Sequence, residues 1–456
     1  MYINGRKLLS VFVLMFVELF GMVAITDECS FQFMSIVSVL QLIINMLFVS
    51  VETNSGRLSF ASIFLFLSWF FHCGQIVKIG FNIPGFVPLD VTRYAGNYEI
   101  IQSFKFYYLT QLMVTSGMLI FSSRTLKKEK QVEVNSIFDA QKTARWLWII
   151  GIVPRLYIDI VVLINGFTNG YKGVYNLVIP QMVQTLAFFF DVGCIVALMD
   201  KRDRKKSSIL FWTVLVYKCI TMSTGARQEK VAFLIIWILI YYFIVNEIKI
   251  GNLITLVVLT FVGVLLINAI GNIRTSGDIS FTSIIENLSP GSDSSIFGNM
   301  LGEFGSALTT LAVTIRNVPS QVSFGYGDAY LAGVLSIVPT LASRVGLGNA
   351  SAYVSKFQGS TYFGGSYIGE LYYNFSWLGI VGGLIIGCVI ISAQSNLYKS
   401  KNDKLSLQSV FSAVLLISMY LFVRGYFTDM VQRLTWIWIL MKIINNKKII
   451  TRKSSI

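Results

Sequence analysis

Residues 31–51 read FQFMSIVSVLQLIINMLFVSV, twenty-one consecutive positions without a charged side chain. A helix rising 1.5 Å per residue covers about 30 Å over such a stretch, which is the thickness of a bilayer's hydrocarbon core. The run is continuously apolar and does not alternate with polar residues over about ten positions. That pattern argues against a barrel strand and for a helix that satisfies its own backbone in lipid. Similar runs recur from end to end. About twelve spans are expected, at residues 8–25, 31–51, 58–81, 104–123, 146–165, 177–199, 209–223, 231–246, 253–271, 367–396, 409–423 and 430–444. The fold class expected is all-α, a polytopic integral membrane protein.

Composition points the same way. Hydrophobic residues make up 54% of the chain and charged residues 13%, with a mean hydropathy of +0.67, against roughly 25% charged in soluble domains. The first run follows Arg6 and Lys7 like a secretory signal, but its core is too long and no small-residue cleavage site follows, so a retained first helix is expected. Cys29, Cys73, Cys194, Cys219 and Cys388 are scattered, without the spacing of metal sites or paired loop positions, and imply neither zinc nor disulfides. The net charge of +14 does not imply nucleic acid, because the basic residues fall in short loops between spans. No internal repeat and no GxGxxG or GxxxxGK[ST] loop is present, so nucleotide-driven transport has no support and no cofactor is expected.

Orientation follows from where Lys and Arg concentrate. Arg124, Lys127, Lys128, Lys130, Lys142 and Arg145 occupy the fourth loop, residues 201–206 the sixth, and Lys399, Lys401 and Lys404 the tenth. With an even number of spans, both termini join these loops on the cytoplasmic side. The connection between residues 271 and 367 is then non-cytoplasmic, and it is far too long for a simple connector. Its moderately apolar stretches, residues 296–315 and 329–341, are expected as amphipathic or re-entrant helices, with a spanning arrangement as the alternative. Three regions follow: a transmembrane bundle over residues 1–271, a large outer loop over 272–366, and C-terminal helices with a basic tail over 367–456.

Charges inside spans cost about 2.5–3.5 kcal/mol each on the insertion scale. Arg155 and Asp159, four apart, read as a pair on one helix face. Glu18 and Asp191 read as structural, and the lone His72 as a packed, hydrogen-bonded histidine. The outer ends of the spans differ. Arg227, Arg274 and Arg424 emerge at one outer interface and Arg344 lies in the outer loop, where the positive-inside rule disfavours them. Arginine's planar fork suits phosphate or carboxylate oxygens, while interfacial snorkelling is the other reading. Glu370 and, in the outer loop, Glu303 are candidates to accept a proton from a hydroxyl or to orient an arginine, and Tyr373 and Asn374, on the same helix face as Glu370, are expected to orient it by hydrogen bonding and to contact substrate. Arginines at headgroup depth, with carboxylates and aromatics nearby, fit a lipid-linked pyrophosphate sugar. An anionic-lipid transporter is also compatible.

The run Gly364-Gly365-Ser366-Tyr367-Ile368-Gly369-Glu370-Leu371-Tyr372-Tyr373-Asn374-Phe375-Ser376-Trp377-Leu378-Gly379 resembles the loop-to-helix signature of Wzy-type O-antigen and capsular repeat-unit polymerases. Gly225-Ala226-Arg227, Glu303-Phe304-Gly305 and Phe324-Gly325-Tyr326-Gly327-Asp328-Ala329-Tyr330 are similar to the same family. The resemblance implies a metal-independent glycosyltransferase of the bacterial cytoplasmic membrane that elongates lipopolysaccharide or capsule glycans. It would move a growing glycan from undecaprenyl diphosphate onto an incoming lipid-linked repeat unit. By the same analogy Arg227, Arg274 and Arg424 grip diphosphates, Glu370 or Glu303 assists the attacking hydroxyl, and a chain-length regulator and a flippase are further partners. The alternatives are an O-antigen ligase-like transferase or a flippase. The related ligases use an outer-loop histidine, and this chain has none there.

Overall fold

The computed structural model describes residues 5–53, 59–87, 89–122, 138–175, 177, 179–200, 202–222, 228–245, 295–338, 340–347, 353–354, 356–357, 363–402 and 405–453. Of these residues 83% are helical and none is in a strand. Five helices are long and apolar enough to cross a membrane: Phe31–Thr53, Phe60–Gly80, Ala140–Gly166, Gln181–Met199 and Tyr367–Ser400; Leu407–Phe422 is shorter but apolar. The protein is an integral membrane protein, and the described residues supply five such spans where twelve were expected. The expected span at 253–271 lies outside the described residues.

The chain divides into two compact units. The first comprises Met1–Lys130, Asp293–Ser395 and Ser418–Gln432. Its N-terminal helices are α1 (Gly5–Val23), α2 (Phe31–Thr53), α3 (Phe60–Gly80), α4 (Val91–Tyr94) and α5 (Asn97–Ser122). The central one is α3, capped by Ser59, whose hydroxyl accepts from Ser62 N at 3.1 Å. In its spanning window 83% of residues are buried, as expected of a helix apolar all round. Glu18 of α1 is buried and accepts from Gln41 Nε2 at 2.8 Å, while the same amide donates to the Tyr108 carbonyl. This is the structural role its sequence position suggested.

The stretches expected as amphipathic or re-entrant helices, 296–315 and 329–341, fold into this unit. They form α10 (Ile296–Phe304), α11 (Ala307–Asn317), α12 (Asp328–Leu335) and α13 (Leu341–Arg344), which follow α6 (Ala140–Tyr175), α7 (Gln181–Met199), α8 (Arg204–Met222) and α9 (Gln228–Ile240) of the second unit in chain order. Nine, eleven, eight and four residues are too few to span. Nine residues of α11 are buried, so this helix is packed into the unit. The junction of α10 and α11 touches α3 through glycine, since a Cβ on Gly305 would stand 2.3 Å from Gln75 N. Gln75 ties the elements together by donating to Leu89 O and Gly302 O and accepting from Val91 N.

The span expected at 367–396 is present within Tyr367–Ser400, and the helix is interrupted inside it. It consists of α14 (Tyr367–Phe375), a 3-10 segment (Ser376–Val381) and α15 (Gly382–Asn402). Ser376 takes φ +51°, which ends α14. The break folds back tightly, with a Cβ on Gly379 lying 2.4 Å from Leu371 O. Beyond it, α15 meets α5 through small residues, since a Cβ on Gly387 would lie 2.0 Å from Val114 O.

The second unit comprises Gln131–Ser292, Asn396–Ile417 and Arg433–Ile456. It holds α6 (Ala140–Tyr175), α7 (Gln181–Met199), α8 (Arg204–Met222) and α9 (Gln228–Ile240), the last prolonged by a π turn over Tyr241–Val245. Two further helices share residues with both units, α16 (Leu407–Phe422) and α17 (Phe427–Lys453). The Arg155–Asp159 pair read from the sequence is present, with Nε to Oδ2 at 2.9 Å and Nη2 to Oδ1 at 3.0 Å. It belongs to a larger network. Arg155 Nη1 lies 3.5 Å from Asp191, Lys218 Nζ donates to Asp191 Oδ1 at 2.5 Å, and Lys230 Nζ stands 3.9 Å from Asp159. Arg433 donates to Glu229 at 2.5 Å.

Candidate functional site

Ser366 starts α14, its hydroxyl accepting from Gly369 N at 3.1 Å. The same oxygen is 2.9 Å from His72 Nε2, and His72 Nδ1 is 2.9 Å from Ser68 O. A carbonyl only accepts, so Nδ1 carries the proton and Nε2 accepts from the Ser366 hydroxyl. The ring is fully buried between Tyr107 and Tyr367. His72 is thus the packed histidine expected, and what it packs against is the cap of the helix that bears Glu370.

Glu370 follows one turn later and is fully buried. Its Oε2 accepts from Phe427 N at 3.0 Å, while Oε1 has no hydrogen-bond partner. Leaving a buried carboxylate oxygen without a donor costs on the order of 1–3 kcal/mol. Tyr373 and Asn374 do not orient this carboxylate through their side chains, contrary to the expectation from spacing. Asn374 Nδ2 donates to the Glu370 carbonyl, and its Oδ1 accepts from Gly327 N at 3.1 Å and Ala329 N at 3.3 Å. Tyr373 donates to Asp328 Oδ2 at 3.0 Å and accepts from Lys356.

Both residues therefore hold the turn 324–330 against α14. Gly325 N donates to Tyr373 O at 2.9 Å, and Gly327 at φ +96° makes the left-handed entry to α12 that a side chain would strain. Tyr326, also at positive φ (+47°), is 82% exposed. Tyr353 stacks on Tyr373 with centroids 5.0 Å apart. Asp328, Lys356 and Tyr326 were not singled out by sequence reasoning. Asp328 and Tyr326 lay within the quoted 324–330 motif, whereas nothing local marks Lys356.

Arg424 follows α16 and lies beside the glycines that precede α14. A Cβ on Gly364 would come within 3.2 Å of its Nε, and one on Gly365 within 2.5 Å of Gly425 O. Its Nη2 donates to Ser306 Oγ at 2.8 Å, and that hydroxyl in turn donates to the Glu303 carbonyl at 3.1 Å. Thr310 Oγ1 donates to Gly364 O at 2.9 Å. Three segments distant in sequence thus meet: the α10–α11 turn with Glu303, the start of α14 with Glu370, and the Arg424 turn. Arg344 sits exposed on α13. Arg227 and Arg274 lie outside the described residues. Among the described residues no group of three His, Cys, Asp or Glu side chains is placed to hold a metal ion.

The 364–379 run, the end of α10 at 303–305 and the 324–330 turn, which carry the resemblance, meet in the first unit. The model of the O-antigen polysaccharide polymerase Wzy family matches residues 8–454, nearly the whole chain. The chain belongs to this family. Comparison with curated proteins and with solved structures returns no match. Wzy membership accords with the apolar helices of an integral membrane protein and with a polymerase role in polysaccharide biosynthesis on lipid-linked repeat units.

Proposed function

We propose that this Wzy-family protein joins undecaprenyl-diphosphate-linked oligosaccharide repeat units at the outer face of the cytoplasmic membrane. The acceptor hydroxyl of the incoming unit donates a hydrogen bond to Glu370 Oε1 and attacks the anomeric carbon of the donor glycan. The bond from that carbon to the diphosphate oxygen breaks as the new glycosidic bond forms, and the carboxylate takes the hydroxyl proton. The departing diphosphate carries its charge to arginines, with Arg424 at the site and Arg227, Arg274 and Arg344 as further donors. Tyr326 offers an exposed ring face for a sugar. Glu303 assists from the last turn of α10.

The observation that carries this reading is the Glu370 carboxylate, buried, anchored on one oxygen by Phe427 N and unpartnered on the other. A helix holds such a group more precisely than a loop does, and unlike Glu18, whose Oε1 is also unpartnered, Glu370 lies on the helix that meets the 324–330 turn and the Arg424 turn. Glu370→Gln keeps the shape and the Phe427 contact but removes the base, which typically costs about 10²–10⁴-fold in rate. The polymer ladder should disappear while protein abundance and single-repeat lipid intermediates persist, and Glu303→Gln should be milder. Full-length polymer from Glu370→Gln would reduce the residue to a structural partner.

A further inference from the structure

The second unit contains an apolar cavity of about 340 Å³ that the proposed reaction does not use. Its lining includes Ile152, Phe190, Cys194 and Val214, and at one end Arg155 and Tyr217. That end abuts the buried ionic network, since Tyr217 donates to Asp159 and Arg155 is paired with the same carboxylate. Ile152 and Thr213 at the cavity rim are exposed, so it opens on the outside of the helices.

The network is not balanced. Among the described residues three buried cations, Arg155, Lys218 and Lys230, face two buried carboxylates, Asp159 and Asp191. The adjoining Arg433–Glu229 pair is neutral and does not change the sum. Lys230 is the least compensated, standing 3.9 Å from Asp159 and donating to the Thr221 carbonyl. That carbonyl belongs to the last turn of α8 and supplies only part of a charge. An ammonium has three donors, and capping a helix end uses one.

Charge and cavity are arranged in order along α8. Thr221, the partner of Lys230, is at its end, Tyr217 is one turn deeper, and Val214 and Leu210 line the cavity over the following turns. An excess cation at the helix end with an apolar cavity below it matches an amphiphile whose anionic head stays at the membrane edge and whose tail runs inward.

We infer that this unit seats the carrier lipid of the incoming repeat unit, with a phosphate of its polyprenyl diphosphate at Lys230 and the adjoining part of the isoprenoid chain in the cavity beside Arg155. The inference rests on the proposed function for the identity of the lipid. A cavity of this volume lies at the lower end of ligand sites, about 300–1,000 Å³, and takes the head-proximal part of the chain only.

The test is native mass spectrometry of the full-length protein released from detergent with equal amounts of undecaprenyl diphosphate and dioleoyl phosphatidylglycerol. The wild-type protein should retain the polyprenyl lipid about tenfold over the phospholipid. Thr213→Trp, which closes the rim from an exposed position, and Lys230→Gln should each lower that retention about tenfold, and Lys230→Arg should restore it. Equal retention of both lipids by the wild type, or unchanged retention in a folded Thr213→Trp, overturns the seat. Thr213→Trp decides the matter if Lys230→Gln does not fold. The readout needs no glycan. Glu370→Gln should keep full retention, so failure of the reaction appears as a preserved polymer ladder in that variant, and failure of the seat as lost lipid preference in the wild type.

Discussion

Lys356 and Asp159 show what single side chains contribute in the two units. Partial burial works against the charge of Lys356, but its hydrogen bonds to Tyr373 and Asp328 outweigh this and leave its pKa above the usual 10.5. A folded pKa above the unfolded one means stabilisation that is complete below pH 10.5 and lost as pH rises through the folded value. Lys356→Met should therefore melt below the wild type at pH 8, with the gap closing above pH 10.5; a gap independent of pH would show packing loss instead. Asp159 accepts from Arg155 and Tyr217 in a buried setting. Asp159→Asn leaves Arg155 short of its main partner, and breaking such a buried pair costs about 3–5 kcal/mol. Thermal unfolding in detergent should show that loss, and Arg155→Met with Asp159→Leu should recover most of it. The pair itself was legible from its four-residue spacing, whereas Asp191, Lys218 and Lys230 come from other helices and join it only through packing.

At the level of elements, the informative case is the region 367–402. Continuous hydropathy marks 367–396 as one span, but apolar composition does not register where the helix inside it is interrupted. The stop comes from Ser376 at φ +51° and from Gly379 pressed on Leu371 O. Beyond it α15 lies against α5 at glycine contacts. A methyl on Gly387 would sit 2.0 Å from Val114 O, whereas one on Gly5 would meet nothing within 4 Å. Gly387→Ala should therefore lower the unfolding midpoint by the equivalent of about 1–3 kcal/mol, the usual cost of overpacking. Gly5→Ala should not move it, and equal midpoints for the two variants would mean that the helices part easily. Helices α10 and α11 were legible as helices from their moderate hydropathy, but their burial was not, because it depends on glycine-mediated contact with α3.

For the whole molecule, the charge distribution predicts that residues 272–365 face outward while both termini and the loops at 124–145 and 201–206 face the cytoplasm. A cysteine placed at Ser292 should react with an impermeant reagent in intact spheroplasts. Labelling that needs permeabilised membranes would invert the topology and remove the proposed site from its substrate. The sequence by itself determined the membrane environment and the helical class, because both follow from composition and run length, which are properties of the solvent each segment tolerates. It also pointed to the Wzy family through the 364–379 run. Only the tertiary structure decided that Glu370 is held by Phe427 N, that Tyr373 and Asn374 secure the 324–330 turn and leave the carboxylate alone, and that Arg424 reaches Ser306. These contacts join residues 45 to 118 positions apart. Local spacing can place side chains on one helix face, but which partner they meet there depends on how other segments pack against it.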